Sequence, residues 1–182
     1  FIHPLIDGRG DEQDWDKAGR IEVGGARGTM HRSSVVQRLW YGVDHLNFYL
    51  RLDFQSGTKP GSDYPPELNL LWFYPNQTMH NSPIPLASLS PEEPLNYLYH
   101  HHLGLNLLTK SIRFQEAGEH YEWLPRTSRA QFAQDNCLEI AVPWADLQIP
   151  PDSPVRLVLV FSDNEQYRSY LPEKALIPIG VP

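Results

Sequence analysis

The chain has 182 residues, 41% of them apolar, and a net charge of −7, which suits a single domain with a sizeable core. An acidic balance gives no electrostatic reason to seek nucleic acid or an anionic membrane, and there is no run of about 18 apolar residues to span a bilayer. One cysteine, Cys137, rules out an internal disulfide and fits a reducing, cytoplasmic setting.

The chain opens FIHPLIDG, with no basic segment and apolar run of the signal-peptide kind. The expectation is a domain cut from a longer polypeptide, with a processed secreted chain as the alternative. The acidic DGRGDEQDWDKAG predicts turns and a short helical piece around 12–18, and RIEV (20–23) a short strand. GGARGTMHRSS (24–34) has the composition of a loop. VVQRLWYGV (35–43) and HLNFYLRLDF (45–54) then predict a hairpin turning near 42–45. Its second arm alternates: Leu46, Phe48, Leu50, Leu52 and Phe54 on one face, Asn47, Tyr49, Arg51 and Asp53 on the other. Period 2 with one polar face is the half-buried antiparallel signature. Val35, Leu39 and Tyr41 are expected on the core side of the first arm.

QSGTKPGSDYPPE (55–67) is a loop by composition, and LNLLWFYP (68–75) predicts a strand buried on both faces. Residues 76–98, rich in Pro, Asn and Ser, predict a long excursion. LGLNLLT (103–109), SIRFQEAG (111–118), HYEWLP (120–125), QFAQDNCLEIAVPW (131–144) and VRLVLVFSD (155–163) give further strands, and YRSYLPEKALIPI closes the chain. The sum is roughly eight or nine strands with very little helix: an all-β, antiparallel β-sandwich.

CLEIAVPWADL (137–147) shows how one strand ends. Leu138, Ile140 and Val142 point to the core, Glu139 and Ala141 away from it. Pro143 has no N–H and a fixed φ, so the ladder stops there. Trp144 and Leu147 lie three apart, on one side of a single helical turn, where they would plug the end of the core.

The same stretch carries a resemblance. A late strand with a glutamate and a Pro before a short turn resembles the DOMON-like and family 9 carbohydrate-binding-module-like sandwiches. Their opening Asp-Gly with a following Glu and Trp corresponds here to Asp7, Gly8, Glu12 and Trp15. More closely, GGARGTMHRSSVVQRLWYGVDHLNFYLRLDF and PPELNLLWFYP resemble the C-terminal module of bacterial, particularly cyanobacterial, family 57 glycoside hydrolases. The likeness runs over essentially the whole chain. It implies a noncatalytic accessory domain, with the catalytic domain of the same polypeptide as partner and α-glucan as a weakly bound ligand. The His-Gln-Pro motif of the catalytic domain does not occur here, so no hydrolytic residue is carried over. A stand-alone DOMON-type module binding sugar or haem is the alternative, with Met30, Met79 and the histidines as the conceivable axial ligands.

Flat rings bind sugars because the C–H faces of a pyranose are apolar, while nearby polar groups take the hydroxyls. Trp40 and Tyr49 fall on the outer face of the hairpin with Arg38, Arg51 and Asp53, so Trp40, Tyr49 and Arg51 are candidate carbohydrate ligands. The competing reading is that another segment covers them, the N-terminal arm or the catalytic domain. Tyr121 and Trp123 are candidates near a strand end. Trp15, Trp72 and Trp144 are expected in the core.

In HHH (100–102), His100 and His102 share a face and could chelate a metal, but no third ligand is identifiable, so surface or interface histidines are the expectation. The acidic cluster Asp7, Asp11, Glu12, Asp14 and Asp16 lacks the spacing of a calcium loop and fits a helix start. VGGARGTM lacks the Lys-Ser/Thr of a phosphate loop. Cys137 is expected to be an inert thiol, and Asn76-Gln-Thr78 is a bare glycosylation sequon. No cofactor, metal site or catalytic constellation is expected.

Overall fold

The computed structural model describes residues 1–23, 35–74, 99–119, 122–149, 153–163, 166–171 and 177–182. The long excursion, the glycine-rich loop, Tyr121, both methionines, His31, His80 and His120 lie outside the described residues. Among the described residues the elements are α1 (Glu12–Trp15), β1 (Gly19–Glu22), β2 (Val36–Val43), β3 (Asn47–Phe54), β4 (Glu67–Phe73), β5 (His101–Asn106) and β6 (Ser111–Ala117). They continue as β7 (Trp123–Arg126), β8 (Gln131–Gln134), β9 (Leu138–Pro143), α2 (Trp144–Leu147), β10 (Pro154–Asp163), β11 (Gln166–Leu171) and β12 (Ile177–Gly180). Both helices are single turns, and every strand pairing is antiparallel. The all-β, antiparallel expectation is met, with the two sheets that a sandwich requires.

The chain divides into two compact units. The first, residues 1–59 with 129–148 and 182, holds the sheet β1-β2-β3-β9-β8. Phe48, Leu50 and Leu52 of β3 and Leu138, Ile140 and Val142 of β9 are fully buried on one face, as the alternation requires. The parity of β2 differs from expectation. A register shift between Val36 and Arg38 inserts an extra residue, so Val36 rather than Val35 is buried with Leu39. Leu46 is not in the alternating arm. It sits in the turn and is 73% exposed, because Asp44 accepts hydrogen bonds from the Leu46 and Asn47 N–H groups and turns the chain there. The stretch 131–144 is not one strand but a β8–β9 hairpin, closed by Asp135 N donating to Cys137 O. After Pro143 the chain makes α2, and Trp144 packs on Phe48 with ring centres 6.2 Å apart while its Nε1 donates to Asp44 O.

The second unit, residues 60–128 and 149–181, holds the sheet β11-β10-β4-β5-β6-β7. β10 pairs with β4 along one edge, and β11 and β12 divide the other. Leu68, Leu70 and Trp72 on one face of β4, and Asn69 and Leu71 on the other, are all buried, as expected of a central strand.

Candidate functional site

Among the described residues a polar sheet face stands out in each unit. In the first unit the face with Trp40, Tyr49 and Arg51 is covered by the N-terminal arm. Ile2 and Trp15 from the arm form a buried cluster with Tyr49 and Ala141, and Ile6, Ala18 and Trp40 pack against it. The arm is held by one carboxylate. Glu139, 1% exposed, accepts from Asp7 N at 3.1 Å, from Gly8 N at 2.8 Å and from Trp15 Nε1 at 2.9 Å. The Asp-Gly…Trp opening and the late-strand glutamate are therefore one contact. Gly8 is required there. Its φ is +80°, and a Cβ would stand 2.7 Å from Asp135 N.

The same cover occupies the candidate sugar ligands of this unit. Tyr49 is 6% exposed and donates to Asp44 Oδ2 at 2.8 Å, which is also 2.9 Å from His3 Nδ1. Burial works to raise the Asp44 carboxyl, but the hydrogen bonds from Tyr49, Leu46 N, Asn47 N and His3 outweigh it and hold it below its usual value. Burial and the Asp44 hydrogen bond push the Tyr49 hydroxyl up to about 12. Arg51 donates to Gly10 O of the arm at 2.9 Å and to Asp53 Oδ1 at 2.7 Å. Trp40 Nε1 donates to Asp53 Oδ2, and the guanidinium groups of Arg20 and Arg51 each lie 5.3 Å from its ring centre. These rings and charges satisfy one another within the protein.

The second unit presents a different face. Register places Glu67, Asn69 and Leu71 of β4 beside Asn106, Gly104 and His102 of β5. Those lie beside Ser111, Arg113 and Gln115 of β6, with Ser162 of β10 next to Glu67. A hydrogen-bonded string runs along this face. His102 Nε2 is 2.7 Å from Asn69 Oδ1, Asn69 Nδ2 donates to Ser162 Oγ at 2.8 Å and to Val160 O, and Ser162 Oγ donates to Glu67 Oε2 at 3.0 Å. The Asn69 amide gives its N–H bonds to Ser162 and Val160, so its oxygen faces the His102 ring. Gln115 Oε1 lies 3.0 Å from the other ring nitrogen, Nδ1, so the ring stands between two amide oxygens. His102, Asn69 and Ser162 are at most 1% exposed, whereas Glu67 is half-buried. Glu67, Asn69, Gly104, Asn106, Ser111 and Arg113 line a groove of about 180 Å³.

Trp123, the first residue of edge strand β7, is half-buried on this same face. It pairs with Ala117 and meets the His102 ring edge-on, centres 5.9 Å apart. Four residues along β6 separate its row from Arg113, roughly 13 Å at strand spacing.

The histidine triplet is not at a surface. His100, His101 and His102 are 2%, 5% and 0% exposed. His100 Nδ1 accepts from Tyr74 N, and its ring stacks on the Tyr74 ring. His101 contacts Tyr74 OH at 2.7 Å and stacks on Phe114. Burial lowers all three, His101 and His102 to about 4, so they are neutral. No group of three His, Cys, Asp or Glu among the described residues is placed to hold a metal. In the acidic cluster, Asp7, Asp11 and Asp14 accept backbone N–H bonds from Arg9, Gln13 and Leu5. Cys137 is buried, and burial, with the Glu139 charge, pushes its thiol up to about 12. No helix among the described residues is long and apolar enough to cross a membrane.

The groove residues were missed because PPELNLLWFYP looks continuously apolar. The signal was present: Glu67 and Asn69 stand two apart, as do Gly104 and Asn106, which marks one polar face on each strand. In comparison with known proteins, the sequence matches no protein-family model and no curated protein.

Proposed function

We propose that this chain is a noncatalytic accessory domain that binds α-glucan, working beside the catalytic domain of a family 57-type glycoside hydrolase. The observation that carries the binding is that Trp123 and the polar groove share one face of the second unit's sheet. An aromatic ring packs on the apolar face of a sugar, and Glu67, Asn106 and Arg113 supply acceptors and donors for its hydroxyls. The α-glucan class comes from the resemblance of the hairpin and of PPELNLLWFYP to such modules. A supporting role toward the catalytic domain is favoured by one further observation. Leu5 and Leu46, 69% and 73% exposed, rim a cavity of about 510 Å³ in the first unit whose other walls include Pro4, Pro143 and Ala145. Exposed leucines at such a rim, beside the polar Asn47, Arg129 and Gln131, suit packing against another protein surface.

Affinity electrophoresis in gels containing glycogen tests the binding. The wild-type chain should be retarded, Trp123→Ala and Arg113→Ala should migrate freely, and Trp40→Ala should behave as wild type. Free migration of the wild type at every glycogen concentration would refute glucan binding.

A further inference from the structure

The second sheet contains a glycine that its fold does not need. Gly104 lies mid-strand in β5, between the buried Leu103 and Leu105. Its φ is outside the left-handed region, unlike those of Gly8 and Gly10. A Cβ built on it would meet His102 Nε2 at 3.4 Å, His102 Cε1 at 3.5 Å and Arg113 Nε at 3.6 Å, which are ordinary contacts. At Gly8 and Gly10 the corresponding Cβ would come within 2.7 and 2.8 Å of a neighbouring atom. A glycine inside a strand loses more backbone entropy on folding than alanine does and packs no side chain. Where neither conformation nor crowding demands one, a remaining physical reason is close approach of something else to the backbone.

We infer that the gap at Gly104 is the seat of one sugar ring, its hydroxyls shared between the Glu67 carboxylate and the Arg113 guanidinium. This rests on the carbohydrate reading above. The groove opens over Gly104 because that position, in register with Asn69 on one side and Arg113 on the other, has no side chain. At about 180 Å³ it is smaller than the ~300 Å³ at which pockets for drug-sized ligands begin, so it takes a single ring and not a chain. Glu67 is held ready. The buried string ends on its Oε2: Asn69 Nδ2 donates to Ser162 Oγ, which donates to the carboxylate, and His102 packs against Asn69 Oδ1 behind it. Such support fixes an acceptor before the ligand arrives. Neighbouring units of the same glucan then run over Gln115 toward Trp123.

Calorimetric titration with maltotriose, paired with melting curves, tests this. Gly104→Ala should melt at or above the wild-type temperature and bind at least tenfold more weakly. Glu67→Gln should also weaken binding with little change in Tm. If Gly104→Ala binds maltotriose as the wild type does while Trp123→Ala does not, the seat is elsewhere and the inference fails, although the carbohydrate reading survives. If Gly104→Ala melts well below wild type, the glycine is structural and the argument is overturned. If the wild-type chain binds neither maltotriose nor glycogen, both readings fall together.

Discussion

Glu139 and Glu67 each stand on the polar face of a sheet, with opposite outcomes. Glu139 in the first unit is closed. All three donors shown on it come from the chain's own arm, and it is 1% exposed. Glu67 in the second unit is half open. A buried string supplies one donor, and its carboxylate lines a groove. A polar residue on a strand announces only that something must satisfy it. Whether that partner is the protein itself or a ligand depends on what lies over the face.

The largest effect that would break this contrast is loss of the latch. Glu139→Ala leaves three donors without their acceptor, those of Gly8 and Trp15 buried, and should destabilise the chain by about 3–5 kcal/mol, capped where the arm lets go. Urea unfolding measures it, and a loss near zero would mean that the arm is not held by this carboxylate.

Acid should separate the units next. His101 and His102 in the second unit are neutral when folded, burial having lowered them from 6.5 to about 4. Between those values the unfolded chain takes up protons that the folded chain refuses. Their contribution is therefore full above about pH 6.5 and is lost as pH falls toward 4, on the order of 3 kcal/mol each at most. Asp44 in the first unit works lower. Its carboxyl sits below the usual 3.8, so its contribution is present above that value and disappears only as pH drops beneath it. Amide exchange followed from pH 7 to 4 should loosen β5 before β3. The reverse order would contradict the burial argument.

The sequence carried the fold through simple periodicities. The Phe48–Leu50–Leu52 face of β3 is buried as its spacing requires. That clean alternation is absent from β4, yet the apolar run through Leu68, Leu70 and Leu71 still marked a central strand. What escaped was non-local. The bulge at Val36 shifts parity through a backbone irregularity that no residue type announces. The covering of Tyr49 and Arg51 depends on an arm more than thirty positions upstream, held through Glu139 on yet another strand, so no local pattern around the patch announces it. The groove was divided among Glu67, Gly104 and Arg113 on three strands, and only register brings them together.

A smaller effect sharpens the latch. The Cys137 thiol is 3% exposed, raised to about 12, and 3.4 Å from Gly8 O under the arm. Folded wild-type protein should react with a thiol reagent at neutral pH far more slowly than the Glu139→Ala variant, in which the arm is released. Equal rates would show that the arm does not shield it.

The most direct test of the contrast between the two faces is to map amide shifts while maltotriose is titrated into the 20.9 kDa chain. The account predicts shifts concentrated at Asn69, Gly104, Asn106, Arg113 and Trp123, with β3 and the N-terminal arm unmoved. Shifts centred on Trp40, Tyr49 and Arg51, or displacement of the arm by the sugar, would contradict it.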